Sequence, residues 1–137
     1  MKIVILDTDV LIYYLRGRNN SINKIKNLKK KEENLNTTIF NVAELYKGCY
    51  SMKNVAKGLM KVKLVVEALD DIYLFDNKSA EEYAKISSDL KNRGQLIGVM
   101  DELIASVCIA HKETLYSGNV KHFERIDDLN INDWNLI

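Results

Sequence analysis

"KIVILDTDVLIYYLRG", residues 2–17, sets a β-branched, uninterrupted apolar run directly before two aspartates, Asp7 and Asp9. Continuous apolar stretches of this length read as strands covered on both faces, which points to a parallel sheet inside an α/β fold. Isolated charges are costly to hold in apolar surroundings. At a strand's carboxyl end, where an open α/β sheet keeps its ligand crevice, water and a cation can reach them. "DVLIYYLRG" then reads as a short helix stopped by Gly17.

Moving outward, strand-like and helix-like stretches alternate. "NSINKIKNLKKKEE" repeats Ile22, Ile25 and Leu28 among lysines and predicts an amphipathic helix. "LNTTIF" (35–40) predicts a second strand, and "NVAELYKGCYSM" a helix with Asn41 as its N-cap. A helix over 53–69 carries Val55, Leu59, Val62, Val66 and Leu69 on one face. "IYLFD" (72–76) predicts a third strand, followed by a helix from Ser79 towards Arg93 and a loop over 94–98. "MDELIASVCIAH" (100–111) predicts a helix, "TLYSG" (114–118) a fourth strand, and "INDWNLI" a short edge strand. The alternation predicts a three-layer α/β/α sandwich with a mainly parallel central sheet, its carboxyl ends on one edge.

The 137 residues, 47% hydrophobic and 28% charged, suit one domain spanning 1–137 with one core. A formal net charge of +1 gives no global sign of a nucleic-acid binder, so any such contact must use local basic patches. Cys49 and Cys108 lack zinc-ligand spacing and read as reduced core residues. With no signal-like or membrane-length apolar run, a cytoplasmic location is the default and no membrane partner is expected.

Asp7 follows the first strand, Glu44 lies in the first turn of the helix after the second, Asp101 opens the helix before the fourth, and Asn119 follows the fourth. Three carboxylates and an amide gathered at one edge suit a hard, oxygen-ligated Mg²⁺ or Mn²⁺. Each also has a plain structural reading. Asp7 can cap a helix, Asn41 and Glu44 resemble a capping box, Asp101 can complement a helix dipole, and Asn119 can serve a turn. Asp9 reads as the N-cap of its helix, with a supporting role beside the metal as the alternative. Thr8 and Ser117 can orient a carboxylate through their hydroxyls or be plain strand-end polar residues. Glu102 falls about 100° around the helix from Asp101 and stays outside the inner set.

The conjunction carries a resemblance. "LDTDVLIYYL", "TTIFNVAELYKG", "IGVMDELIASVCIAH" and "LYSGNVKHFERI" followed by "INDW" occur in the order found in PIN domains, most closely toxin nucleases of the VapC type. The resemblance implies that Asp7, Glu44 and Asp101 are the acidic metal ligands and that Asn119 fills a fourth position acidic in many members. His122 stands where related sequences often carry an acid. It further implies endoribonuclease chemistry with Mg²⁺ or Mn²⁺, an RNA substrate, a homodimer and a small antitoxin protein that covers the acidic pocket.

Arg16, Lys47, Lys121, His122 and Arg125 are candidate RNA contacts, because each lies within a few residues of a site segment. Arg125 has a rival role pairing with a carboxylate inside the domain. The run Lys24, Lys26, Lys29, Lys30 and Lys31 reads as a solvated helix face. Tyr13, Tyr46 and Tyr50 read as packing residues with base stacking as the alternative. Alternative functions are a housekeeping RNA-processing nuclease, or a catalytically weak RNA- or protein-binding module. A further one is a haloacid-dehalogenase-like phosphatase, in which "ILDTDV" supplies a nucleophile and "LDD" (69–71) a late acidic pair.

Overall fold

The computed structural model describes residues 2–137. Its strands are β1 (Ile3–Leu6), β2 (Asn34–Thr38), β3 (Asp71–Tyr73), β4 (Thr114–Ser117) and β5 (Ile131–Asp133). Its helices are α1 (Thr8–Arg16), α2 (Ser21–Lys30), α3 (Ile39–Cys49), α4 (Val55–Ala68), α5 (Asn77–Asn92), α6 (Val99–Ala110) and the single turn α7 (Val120–Phe123). A 3-10 turn, Trp134–Leu136, follows β5.

The strands form one sheet in the order β3-β2-β1-β4-β5, and every pairing is parallel. Alternation along β1 shows why it sits in the middle. Val4 and Leu6 enter a core built with Val10 and Leu11 of α1, Ile25 and Leu28 of α2, Leu45 of α3 and Val62 of α4. Ile5 enters a second core with Ile86 and Leu90 of α5, Ile104 and Cys108 of α6, and Phe123 of α7. A strand with side chains buried on both faces has to be apolar throughout, which is what its sequence supplies. The layers are therefore helix, sheet, helix.

After β1 the chain winds outward through β2 to β3, then returns to lay β4 on the other side of β1. The order thus reverses between β1 and β4, and there the crossovers diverge and leave a crevice at the carboxyl edge. Both cysteines are buried and unpaired. The tail is held by Trp134, fully buried, whose Nε1 donates to Ser21 Oγ at 2.9 Å.

Several boundaries differ from the sequence expectation. Thr38, not Asn41, caps α3, because its hydroxyl accepts from the Asn41 amide while the Asn41 side chain accepts from the Thr38 backbone. The helix therefore begins at Ile39, and Glu44 lies in its second turn rather than its first. Asp7, not Asp9, caps α1. The third strand ends at Tyr73, because this edge strand has one neighbour and the chain leaves it for Asp76, which caps α5 by accepting from Ser79 N at 2.8 Å. Gly17 does stop α1, in the left-handed region at φ 63°, with its N–H on the carbonyls of Tyr13 and Tyr14.

Candidate active site

Asp7 leaves β1 at the switch point and is only 5% exposed. Its Oδ1 accepts from Thr8 N at 2.8 Å and from Asn41 Nδ2 at 2.9 Å, and its Oδ2 accepts from Ser117 Oγ at 2.7 Å. A carboxylate oxygen offers two lone pairs, so Oδ1 is saturated and Oδ2 keeps one position open. Ser117 ends β4, so this last bond ties the two strands flanking the crevice. Burial pushes the Asp7 carboxyl up to about 7, and the charge of Asp9 adds to the shift against the opposing hydrogen bonds of Ser117 and Thr8.

Asp9, in the first turn of α1, accepts from Val10 N at 2.7 Å through Oδ1 and from Gly118 N at 2.9 Å through Oδ2. It thereby fastens the start of α1 to the loop after β4. That loop needs a glycine, since a Cβ at Gly118 would lie 2.9 Å from Asp9 Oδ2. Thr8 donates to Glu44 Oε1 at 2.5 Å and receives Asn41 Nδ2 at 2.9 Å, so Glu44 joins the group through a hydroxyl rather than by touching Asp7.

The opposite wall belongs to α6 and α7. Asp101 Oδ2 lies 3.3 Å from His122 Nδ1 and 3.4 Å from Asn119 Nδ2. Burial raises the carboxyls of both Asp9 and Asp101, opposed at Asp9 by the Gly118 and Val10 amides and at Asp101 by His122. The charge of Asp101 adds a small further upward push to Asp7 and Asp9. Glu102, the next residue, is buried.

Among the described residues no Lys or Arg pairs with Asp7, Asp9, Glu44 or Asp101, and the one nitrogen base beside them is the His122 imidazole at Asp101. Nor do three His, Cys, Asp or Glu side chains close into a ready cluster among those residues. The donor chemistry nonetheless fits a hard cation. Carboxylates that are buried, as Asp7 is, or half-buried, as Asp9, Glu44 and Asp101 are, with no Lys or Arg paired to them, are costly until a positive charge joins them.

The sequence reading missed Asn41 as a site residue. Its amide holds Asp7 and Thr8 together, and the spacing Thr38-x-x-Asn41 was the available signal. Arg16, Lys47 and Lys121 are exposed, and His122 is partly so. Among the described residues Arg125 pairs with no carboxylate and instead donates to the Leu96 carbonyl at 3.2 Å. Lys24 is drawn inward from the basic helix face, its Nζ donating to the Trp134 carbonyl at 2.6 Å. The phosphatase alternative fails on geometry. Asp70 Oδ2 accepts from Leu35 N at 2.7 Å near the start of β2, and Asp71 begins β3, so that acidic pair sits at the sheet's amino edge, away from Asp7.

Comparison with known proteins agrees. The PIN domain family model matches residues 4–129. Ribonuclease VapC1 of Haemophilus influenzae strain R2866 is 30% identical over 132 residues, covering 96% of this chain and 98% of that protein. Ribonuclease VapC2 of Rickettsia felis is likewise 30% identical over 132 residues, with the same two coverages. Among solved structures, VapBC2 from Rickettsia felis bound to a DNA fragment from its promoter superposes with a TM-score of 0.88 at 28% identity, covering 96% of this chain and 98% of that one. VapBC-1 from nontypeable Haemophilus influenzae gives 0.81 at 28% identity, with the same coverage.

Proposed function

The chain belongs to the PIN-domain family, and from that premise we propose that it is a metal-dependent endoribonuclease, the toxin of a toxin–antitoxin pair, acting as a single nuclease domain over residues 1–137. The observation that carries the reading is that Asp7, bonded to Ser117 at the end of β4, and Asp101, beside Asn119 and His122 just after β4, stand at the β1/β4 switch point with no Lys or Arg paired to them among the described residues. Full-length similarity to ribonucleases and to toxin–antitoxin structures supports the substrate class and the partner.

Asp7, Glu44 and Asp101 hold Mg²⁺ or Mn²⁺ in this reading, with Asn119 as a neutral fourth donor. When bound, such a cation lowers the pKa of a water and polarises a phosphoryl oxygen, the two demands of phosphodiester hydrolysis. The protein's own part is positioning. Thr8 N and Asn41 saturate Asp7 Oδ1 and leave Oδ2 with its open lone pair, while Thr8 steadies Glu44. Asp9 holds the loop bearing Asn119 through the Gly118 amide. Arg16 and Lys47 line grooves that Glu44 also lines, and Lys121 follows Asn119; all three suit contacts to RNA phosphates.

The exposed Met60 and Leu64 on α4, 67% and 62% accessible, supply apolar surface for association with an antitoxin or a second copy as a homodimer. Among the described residues no helix is long and apolar enough to cross a membrane, and a cytoplasmic site of action accords with an RNA substrate. The test is cleavage of RNA by the purified chain in Mg²⁺ or Mn²⁺. Activity that survives chelator, or that survives Asp101→Asn, would overturn the reading.

A further inference from the structure

α7 is a single turn whose residue before the first, Asn119, makes no side-chain capping bond. The Asn119 amide instead meets His122, three residues on and therefore on the same face of α7, and faces Asp101 of α6. Fully buried Phe123 anchors this turn in the core and fixes where the imidazole stands. Three polar atoms close a triangle: Asn119 Nδ2 to His122 Nδ1 is 3.0 Å, His122 Nδ1 to Asp101 Oδ2 is 3.3 Å, and Asn119 Nδ2 to Asp101 Oδ2 is 3.4 Å.

That triangle has the dimensions of one face of a metal's coordination shell. Around an octahedral cation with bonds of about 2.1 Å, neighbouring donors stand about 3.0 Å apart. Asn119 presents its oxygen to the same point by turning its amide over, a difference of O and N positions that leaves the rest of the side chain in place. In the cation-free fold the Asn119 amide stands between His122 Nδ1 and Asp101 Oδ2 as a donor, or His122 donates to Asp101 when its proton is on Nδ1. With the ring proton on Nε2 and the Asn119 amide turned over, three acceptors face one point that a cation can fill.

We propose that His122 is a metal ligand through Nδ1, and that Asp101, Asn119 and His122 form one face of a cation subsite favouring Mn²⁺ over Mg²⁺. This rests on the nuclease reading above and deepens it. Mg²⁺ keeps hard oxygen ligands, whereas an imidazole nitrogen is a good ligand for first-row transition metals. His122 and Asp101 side chains are 42% and 23% accessible, open enough for an ion to enter from solvent. The preference is thus written into one residue.

The test is pulsed electron paramagnetic resonance on the full chain loaded with Mn²⁺, which reads ¹⁴N coupling from a directly bound imidazole. Coupling is expected in the wild type and in His111→Gln, the change at the chain's other imidazole, and is lost in His122→Gln. Calorimetric titration then shows the ratio of Mn²⁺ to Mg²⁺ affinity falling about tenfold in His122→Gln, and falling in His122→Glu through tighter Mg²⁺ binding. Absence of ¹⁴N coupling in the wild type, its persistence in His122→Gln, or an unchanged affinity ratio in both variants overturns the assignment. Should the wild type cleave RNA in a chelator-sensitive way without ¹⁴N coupling, the His122 assignment falls alone. Should no divalent cation bind or support cleavage, the nuclease reading falls and takes the assignment with it.

Discussion

Replacing Asp7 by Asn removes a buried charge and keeps nearly everything that charge touches. The Asn oxygen accepts from Thr8 N and Asn41 Nδ2 as the carboxylate does, Asn caps a helix about as well as Asp, and the Ser117 hydroxyl turns from donor to acceptor. What changes is electrostatic. With its carboxyl pushed up from 3.8 to about 7, mainly by burial, the folded protein holds a proton that the unfolded chain releases between those pH values. Stability of the cation-free wild type therefore falls as pH rises through that window and levels off above it. About three pKa units at roughly 1.4 kcal/mol each set an upper bound near 4 kcal/mol, and because Asp9 shares the strain we expect about 2–4 kcal/mol. At about 3 °C per kcal/mol for a chain of this length, Asp7→Asn should raise Tm by about 6–12 °C at pH 8 in chelator, with the difference gone below about pH 4. Thermal unfolding of both proteins across pH 4–8 measures it. A variant no more stable than wild type at pH 8, or equally favoured at pH 4, would refute the account of the site as a strained set of carboxylates.

Asp101→Asn should fold with equal or slightly higher stability in chelator yet lose most RNA cleavage, checked by calorimetry beside a cleavage assay; full activity would remove Asp101 from the site. Asn119→Asp should tighten Mn²⁺ binding in the absence of RNA, since affinity at oxygen sites rises with ligand charge; a titration showing no gain would make Asn119 a spectator. Gly118→Ala sets a Cβ 2.9 Å from Asp9 Oδ2, so it should cost about 1–3 kcal/mol in denaturant unfolding and lower cleavage together; unchanged stability would show that the Asp9 contact does not hold this loop.

The order of elements was legible because parallel strands covered on both faces carry a one-dimensional signature. Val4, Ile5 and Leu6 must be apolar whichever layer each faces, and no later contact alters that. The α3 cap was less legible. Thr38 and Asn41 are both good capping residues three positions apart, and sequence alone does not say which stands outside the helix. In the fold β2 runs through Thr38, paired to β3, with the Thr37 hydroxyl donating to the Leu6 carbonyl of β1, 31 positions away, at 2.7 Å, so Thr38 stands outside the helix as its cap. Equally hidden from the sequence are Asp9 and Gly118, 109 positions apart, whose bond only the β1/β4 pairing brings about.

These long-range bonds explain why one charge can be felt across the crevice. Asp7 is at once the N-cap of α1, a partner of Asn41 in the α3 capping box, and an acceptor for Ser117 at the end of β4. A bound cation, or a basic side chain from an antitoxin entering in its place, would relieve the repulsion that raises Asp7 and Asp9 and so stabilise all three junctions at once. By linkage, any species that binds this folded pocket and not the unfolded chain raises stability by RT ln(1 + [L]/Kd), about 2.7 kcal/mol at a hundredfold excess over Kd. Because that relief requires ionised carboxylates, the stabilisation by Mn²⁺ should grow with pH over the window in which the cation-free protein weakens.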